Sequence, residues 1–215
     1  MSAPISAVLF DLDGVLIDSE PAVIRAWTAW AERHGLDPAR VLDEIHGRRA
    51  GDSIRVLAPA GVDVDAEAAW LERREVEDTE GVVAMAGARE LLDGGAAWSR
   101  AVVTSGTYAI ATARLRAAGL TPPPVLVTAG DVARGKPAPD PYLAGAERLG
   151  VEPGRCVVVE DAPAGVSAGK AAGMTVLAVL TTHGAERLQE ADARFASLDA
   201  LRAELPRFLP RGSSG

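Results

Sequence analysis

Five short, nearly continuous apolar runs constrain the fold of this chain more than any other feature. They are ISAVLF (5–10), RAVVT (100–104), PVLVT (124–128), CVVVE (156–160) and TVLAVL (175–180). Runs of this length that are apolar throughout are typical of parallel strands covered on both faces, and segments of helix length separate most of them. The chain is therefore predicted to form an α/β fold with a doubly wound parallel sheet.

The long interval between the first two runs shows a different pattern. Residues 17–82 contain no convincing strand, whereas Ala, Trp and Leu recur there at spacings of three and four residues. We expect a helical cap domain at 17–82 with a small core around Trp27, Trp30 and Trp70. The Rossmann-like core would then comprise residues 1–16 and 83–210, and the tail RGSSG (211–215) would be disordered.

Composition narrows the partners and the compartment. A net charge of −8 without a basic stripe argues against nucleic acid. Cys156, the one cysteine, lies in an apolar run and is expected to be a packed thiol in a reducing environment. The opening MSAPISAVLFDLD lacks a basic segment and a long apolar stretch. We therefore expect a cytoplasmic protein that binds neither membranes nor nucleic acid.

Acidic side chains cluster at the predicted carboxyl ends of two strands. Asp11 and Asp13 follow the first run, and Glu160 and Asp161 end the fourth. In open α/β sheets ligands bind at these strand ends. One acid alone is better explained as a helix cap. Four acids at one edge indicate a hard cation, and all-oxygen ligands suit Mg²⁺.

Lys136 is conspicuous because the chain contains 22 basic residues and only Lys136 and Lys170 are lysine. The segment GDVARGKP (130–137) imitates a phosphate-binding P-loop, but Pro137 stands where that motif needs Ser or Thr. The interpretation as a nucleoside triphosphatase is therefore disfavoured. Lys136 between glycine and proline is better suited to hold a phosphoryl oxygen or a carboxylate, whereas Lys170 is expected on a helix surface.

Four motifs resemble, in order, those of the haloacid dehalogenase-like hydrolase superfamily. They are DLDGV (11–15), VVTSG (102–106), GKPAPDPY (135–142) and VVEDAPAGVSAGKAAG (158–173). The last motif and the cap segment IHGRRAGDSIRVLAP are most similar to the branch with a helical cap, and within it to sugar-phosphate and polyol-phosphate phosphatases.

The resemblance implies a role for each strand-end residue. Asp11 would be the nucleophile, Asp13 the general acid and base, and Thr104 and Lys136 would contact the transferring phosphoryl group. Mg²⁺ would be held by Asp11, the backbone carbonyl of Asp13 and Asp161, with Glu160 behind them or acting through water.

The resemblance also implies how a small phosphorylated metabolite is held. Ser105 and Gly106 would offer backbone N–H groups to phosphate. The cap would close as a lid, with hinges near 16–19 and 79–85, and His46, Arg48 and Arg49 are its candidates for contacting substrate hydroxyls. The protein is expected to be a monomer or a weak dimer.

Three functions remain open at this point. A Mg²⁺-dependent phosphatase that forms an aspartyl-phosphate leads, and a β-phosphoglucomutase shares every core motif. In the β-phosphoglucomutases that this chain resembles, a cap-hinge histidine aligns with Val23 and an arginine aligns with Ala50. A non-catalytic regulator on the same fold would be expected to have lost one of the core residues, and none is lost.

Overall fold

The fold places a six-stranded parallel sheet between two layers of helices. The computed structural model describes residues 5–93 and 98–208. The strand order is β5-β4-β1-β6-β7-β8, and every neighbouring pair is parallel. These strands are β1 (Ala7–Phe10), β4 (Ser99–Val103), β5 (Val125–Val127), β6 (Cys156–Glu160), β7 (Thr175–Val179) and β8 (Ala193–Phe195).

Alternation along the strands divides the core between the two sheet faces. In β1, Val8 and Phe10 belong to one buried cluster and Ala7 and Leu9 to the other, as expected for side chains that point to opposite faces. The first cluster also contains residues of α5 (Ala88–Asp93), α6 (Tyr108–Ala117) and α9 (Leu198–Glu204). The second contains residues of α7 (Asp140–Leu149) and α8 (Pro163–Ala171).

The five apolar runs are confirmed as strands of the parallel sheet, so the predicted fold class is correct. Three strands of the structure were not predicted from the sequence. The edge strand β8 has the sequence Ala-Arg-Phe, too short and too polar in its middle to give an apolar run. Strands β2 (Ile17–Asp18) and β3 (Val83–Ala84) have two residues each and pair antiparallel.

Four helices lie between β2 and β3 and form a separate layer with their own apolar cluster. They are α1 (Glu20–Arg33), α2 (Pro38–Ile45), α3 (Ala50–Leu57) and α4 (Val64–Glu77). Trp27 and Trp30 are buried in this cluster and Trp70 packs against it, as predicted. We call residues 17–84 the helical insert; the domain boundaries predicted at 16/17 and 82/83 stay predictions.

The remaining expectations have mixed outcomes. Cys156 is fully buried and Lys170 is a surface lysine 2.7 Å from Asp192. The tail 211–215 lies outside the described residues. Among the described residues, no helix combines the length and apolar character needed to cross a membrane. The cytoplasmic location and the monomeric or weakly dimeric state stay predictions.

Candidate active site

The strand order brings the predicted acidic residues to one edge of the sheet. Strands β4, β1 and β6 are adjacent, and their carboxyl ends deliver Thr104, Asp11 and the Glu160–Asp161 pair. One carboxylate oxygen each from Asp11, Glu160 and Asp161 lie within 4.8 Å of one another, and all three residues are buried. We call the set Asp11, Thr104, Lys136, Glu160 and Asp161 the strand-end floor.

Lys136 is the cation of this floor. Its Nζ donates to Asp11 Oδ1 at 2.6 Å, to Glu160 Oε1 at 2.7 Å and to the Val103 carbonyl at 3.1 Å. These three bonds use all three donors of an ammonium group. Lys136 precedes α7 by several residues and so does not open a helix as a P-loop lysine does. The loop therefore serves to deliver one buried point charge to the nucleophile candidate.

Glu160 is surrounded by donors. Its Oε1 accepts from Lys136 and from Tyr142 Oη at 2.8 Å, and its Oε2 accepts from the backbone N–H groups of Asp161 and Ala162. A Cβ at Gly165 would lie 1.6 Å from Glu160 Oε1, so only glycine permits this close approach. With both oxygens engaged, Glu160 orients the floor and has little capacity left for direct ligation.

Burial and mutual repulsion disfavour the ionised forms of the other two acids. Burial raises the pKa of Asp11 to about 7; Lys136 opposes this rise, while Glu160 and Asp13 add to it. Burial, together with the charges of Glu160 and Asp11, raises the pKa of Asp161 well above its usual value. For Lys136, burial would lower the pKa, but the charges of Asp11 and Glu160 raise it above its usual value.

The donor set of the floor fits a hard divalent cation. Three buried carboxylates face one ammonium group, which leaves negative charge that a cation can balance. The available ligands are oxygens only, the chemistry that Mg²⁺ prefers. A Cβ at Gly14, where φ is +77°, would lie 2.0 Å from Asp161 Oδ2. The Asp161 carboxylate therefore packs directly over the backbone that follows Asp13.

Asp13 lies apart from the floor and faces the cavity above it. Its Oδ1 accepts from Ser19 Oγ at 2.6 Å and from Arg114 Nη1 at 2.7 Å. No hydrogen bond to Asp13 Oδ2 is found among the described residues, and 28% of the side chain is exposed. One oxygen is thus held while the other is available to a substrate, the arrangement that a proton-transferring group needs.

The turn after β4 differs in one respect from the prediction. Thr104 is buried, and its Oγ1 accepts the backbone N–H of Gly106 at 3.0 Å. The Gly106 N–H is therefore already occupied and is not a free phosphate donor in this geometry. The Ser105 backbone N–H has no partner within the described part of the chain, while the Ser105 hydroxyl donates to the Gly47 carbonyl of the insert at 2.9 Å.

The helical insert roofs a cavity of about 810 Å³ whose base is formed by Asp11, Asp13 and Asp161. His46, Arg48 and Arg49 all line it, and their contact with substrate hydroxyls stays a prediction. Burial and the nearby His183 lower the pKa of His46, which favours a neutral ring that offers one donor and one acceptor.

Arg48 and Arg49, the two predicted arginines of the insert, differ in their hydrogen bonds and ion pairs. Arg49 donates to Asp52 at 2.9 Å and to the carbonyls of Val132 and Ala133 at 3.3 and 3.2 Å. It therefore ties the insert to a loop of the other layer. Arg48 is exposed, and no ion pair of Arg48 occurs across residues 5–93 and 98–208. Arg48 is consequently the better placed of the two to contact a ligand.

Two residues of the site escaped the sequence analysis. Tyr142 was part of a quoted motif but received no role. Arg114 lies on the buried face of α6 together with Ile110, Ala111 and Leu115. A charged residue at an apolar position of the helical repeat was a detectable signal, because arginine is rarely fully buried without a partner.

The chain is similar over most of its length to known hydrolases and phosphatases. The family described as haloacid dehalogenase-like hydrolase matches residues 5–173. Hexitol phosphatase A of Escherichia coli (strain K12) is 50% identical over 199 residues, covering 90% of this chain and 91% of the relative. Validoxylamine A 7'-phosphate phosphatase of Streptomyces hygroscopicus subsp. limoneus is 40% identical, covering 90% of this chain and 94% of the relative.

Among solved structures, β-phosphoglucomutase from Clostridium difficile superposes with a TM-score of 0.84 at 22% identity. The match covers 94% of this chain and 96% of that structure. At this level of identity the likeness concerns the fold and carries no conclusion about activity.

Proposed function

We propose that this chain, which belongs to the haloacid dehalogenase-like hydrolase family, is a Mg²⁺-dependent phosphatase of small phosphorylated sugars or polyols that works through an aspartyl-phosphate on Asp11. The observation that carries the proposal is the Lys136 bridge between Asp11 and Glu160 directly beneath a roofed cavity. The similarity to hexitol phosphatase A supports the choice of a phosphorylated polyol.

In the first half-reaction a carboxylate oxygen of Asp11 attacks phosphorus and the bond from phosphorus to the alcohol oxygen breaks. Asp13 gives its proton to that oxygen, so the product leaves as a neutral alcohol. Lys136 holds Asp11 Oδ1 at 2.6 Å and so orients the nucleophile. The Thr104 hydroxyl and the Ser105 N–H, from two residues that line the cavity, would donate to phosphoryl oxygens.

In the second half-reaction water attacks phosphorus of the aspartyl-phosphate. Asp13, now ionised, accepts a proton from this water, the bond between phosphorus and Asp11 breaks, and inorganic phosphate leaves. Asp13 ends protonated and Asp11 ends as a carboxylate, so both are ready for another turnover.

Asp11, Asp161 and the backbone carbonyl of Asp13 are the groups proposed to hold the metal. Bound Mg²⁺ would reduce repulsion between the anionic nucleophile and the anionic phosphate and neutralise charge in the transition state. The remaining electrostatic work falls to Lys136, whose charge persists because Asp11 and Glu160 raise its pKa.

The lining of the cavity favours a substrate with one phosphate and an otherwise neutral, hydroxylated body. Arg49 and Arg55 both pair with Asp52, and Arg114 pairs with Asp13. Among the arginines that line the cavity in the described chain, this leaves Arg48 without an ion pair. One free cation is a poor site for a second phosphate, whereas the acidic side chains and His46 suit hydroxyl groups.

The β-phosphoglucomutase alternative is disfavoured by the same lining. Such an enzyme must hold a bisphosphate and keep water from its aspartyl-phosphate. Val23, which also lines the cavity, has no polar group to contact Asp13, and Ala50 has none for a distal phosphate.

A panel of phosphorylated hexitols, hexoses and glycerol, assayed for released phosphate with Mg²⁺ and with EDTA, tests the proposal. We expect phosphate release that requires Mg²⁺ and is fastest with one or more polyol phosphates. β-Glucose 1-phosphate supplied with a trace of glucose 1,6-bisphosphate separates the alternative. Glucose 6-phosphate formed much faster than free phosphate would overturn the phosphatase assignment.

A further inference from the structure

Arg114 is a buried cation that the reaction outlined above does not use. Its side chain is 4% exposed, and it comes from a helix whose other buried residues include Ile110, Ala111 and Leu115. Its Nε and Nη2 are buried without a hydrogen bond among the described residues. Burying a guanidinium whose Nε and Nη2 make no hydrogen bond within the described chain is costly, so stability alone does not explain an arginine here.

The contacts of Arg114 connect the proton-transferring residue to the insert. Its Nη1 donates to Asp13 Oδ1 at 2.7 Å, and its Nη2 lies 3.6 Å from Glu75 Oε1. Asp13 follows β1, whereas Glu75 is a buried residue of α4 in the insert. Arg114 therefore lies between Asp13, the proposed proton donor, and Glu75, which reaches Arg114 only when the insert covers the cavity.

The insert is held in this position by a second contact on the same face of α4. Glu72, one turn before Glu75, accepts from Thr107 Oγ1 at 2.8 Å. Thr107 caps the start of α6 and Arg114 lies in its last turn, so one helix of the sheet layer contacts both α4 and Asp13.

We propose that Arg114 is a positioning residue: it holds Oδ1 of Asp13 so that Oδ2 faces the leaving-group oxygen, and Glu75 fixes Arg114 when the insert covers the cavity. The inference rests on the proposed phosphatase function and adds to it a residue that acts through Asp13. It also explains how Asp13 is held in a chain whose Val23 has no polar group to contact it, since Ser19 and Arg114 supply the hydrogen bonds.

The test compares two leaving groups in Arg114→Met, Arg114→Lys and the control Arg116→Met, which removes an exposed arginine of the same helix. With a hexitol phosphate, whose alcohol needs a proton to leave, we expect Arg114→Met to lose kcat on the order of 10²-fold with KM unchanged. Arg114→Lys should recover part of the loss, and Arg116→Met should match the wild type.

With p-nitrophenyl phosphate the leaving group needs no proton. Rapid mixing of Arg114→Met should therefore show a first-turnover burst of nitrophenolate at the wild-type rate. Later turnovers should be slow, because activation of water still uses Asp13. If Arg114 were merely structural, the burst would be slowed by the same factor as the turnover of the hexitol phosphate, and that result would overturn the inference. A folded Arg114→Met with wild-type kcat on the hexitol phosphate would overturn it as well.

Two further measurements keep the inference testable. If Arg114→Met does not fold, Glu75→Gln decides, with the same split between substrates expected and its absence contradicting the proposal. Urea unfolding of Asp13→Asn, Arg114→Met and the double variant requires no turnover. Additive shifts of the unfolding midpoint would contradict the pairing of Arg114 with Asp13, whether or not the wild-type protein releases phosphate. Absence of phosphate release by the wild type would reject the proposed function alone.

Discussion

The strand-end floor and the helical insert form opposite walls of one cavity, but they hold their functional side chains in different ways. In the floor, the side chains of Lys136 and Glu160 are fully buried and each of their side-chain polar atoms is hydrogen-bonded. In the insert, Arg48 is exposed and Arg49 and His46 are half-buried. A preorganised buried group stabilises developing charge without reorganising, whereas an exposed side chain contributes through adaptable contacts. We therefore infer that the floor carries out the covalent chemistry and that the insert governs the choice of substrate.

The largest effect is expected from Asp11, the floor residue proposed to form the covalent bond. Asp11→Asn keeps the shape of the side chain and removes the nucleophile, so turnover should fall by at least ~10⁴-fold while the protein stays folded. Phosphate release measured with purified, folded variant checks this. A near wild-type rate would break the comparison at its strongest point.

A steric change behind the floor should have the next largest effect. Gly165→Ala forces a methyl group against Glu160, where the added Cβ would lie 1.6 Å from Oε1. We expect a loss of roughly 1–3 kcal/mol in unfolding free energy and a fall in kcat on the order of 10²-fold, because Lys136 loses its anchor.

The matched control for that variant is Gly154→Ala, since a Cβ at Gly154 meets no atom within 4 Å. It should change neither kcat nor the urea midpoint appreciably. Equal behaviour of the two glycine variants would show that the tight packing around Glu160 does not matter for activity.

The grouping of the floor residues at one edge of the sheet could be predicted because it follows from the sheet topology. Asp11 and Asp161 each follow an apolar run and Thr104 ends one, so recognising the runs as adjacent parallel strands placed the residues together. The sequence contains no comparable pattern that tells which residues of two helices meet when one domain packs on another. Arg114 lies on α6 and Glu75 on α4, and their pairing depends on how the insert docks. Strand β8 was missed for a local reason, since three residues with a central arginine give no apolar signal.

The linkage between metal and protons sharpens the description of the floor. Burial raises the pKa of Asp11 from its ordinary value of 3.8 to about 7. Between these two pH values, the metal-free folded protein holds a proton on Asp11 that an unfolded aspartate would have lost. Metal binding requires the carboxylate. The rise in melting temperature caused by a fixed Mg²⁺ concentration should therefore be larger at pH 8 than at pH 6. A rise that is equal or larger at pH 6 would contradict the buried, proton-binding floor.

The insert should respond more weakly, and its two arginines should differ. Arg49→Met removes the bonds to Val132 and Ala133 and should raise KM about tenfold, an effect of about 1.4 kcal/mol, with kcat little changed. Arg48→Met removes an exposed charge and should change KM by less than about fivefold, as expected for contacts worth up to ~1 kcal/mol. Steady-state kinetics with a hexitol phosphate would measure both. A larger loss of kcat in Arg48→Met than in Gly165→Ala would reverse the division of roles.

The most direct test of the division between floor and insert is to locate the covalent phosphate. Asp13→Asn, mixed with p-nitrophenyl phosphate and Mg²⁺ and rapidly quenched, should accumulate the phosphoenzyme, because its leaving group needs no proton whereas hydrolysis needs a base. Borohydride reduction followed by peptide mass spectrometry should find homoserine at position 11, and none in the same experiment with Asp11→Asn. A phosphoryl group on any residue of the helical insert, or undiminished homoserine in Asp11→Asn, would contradict the account.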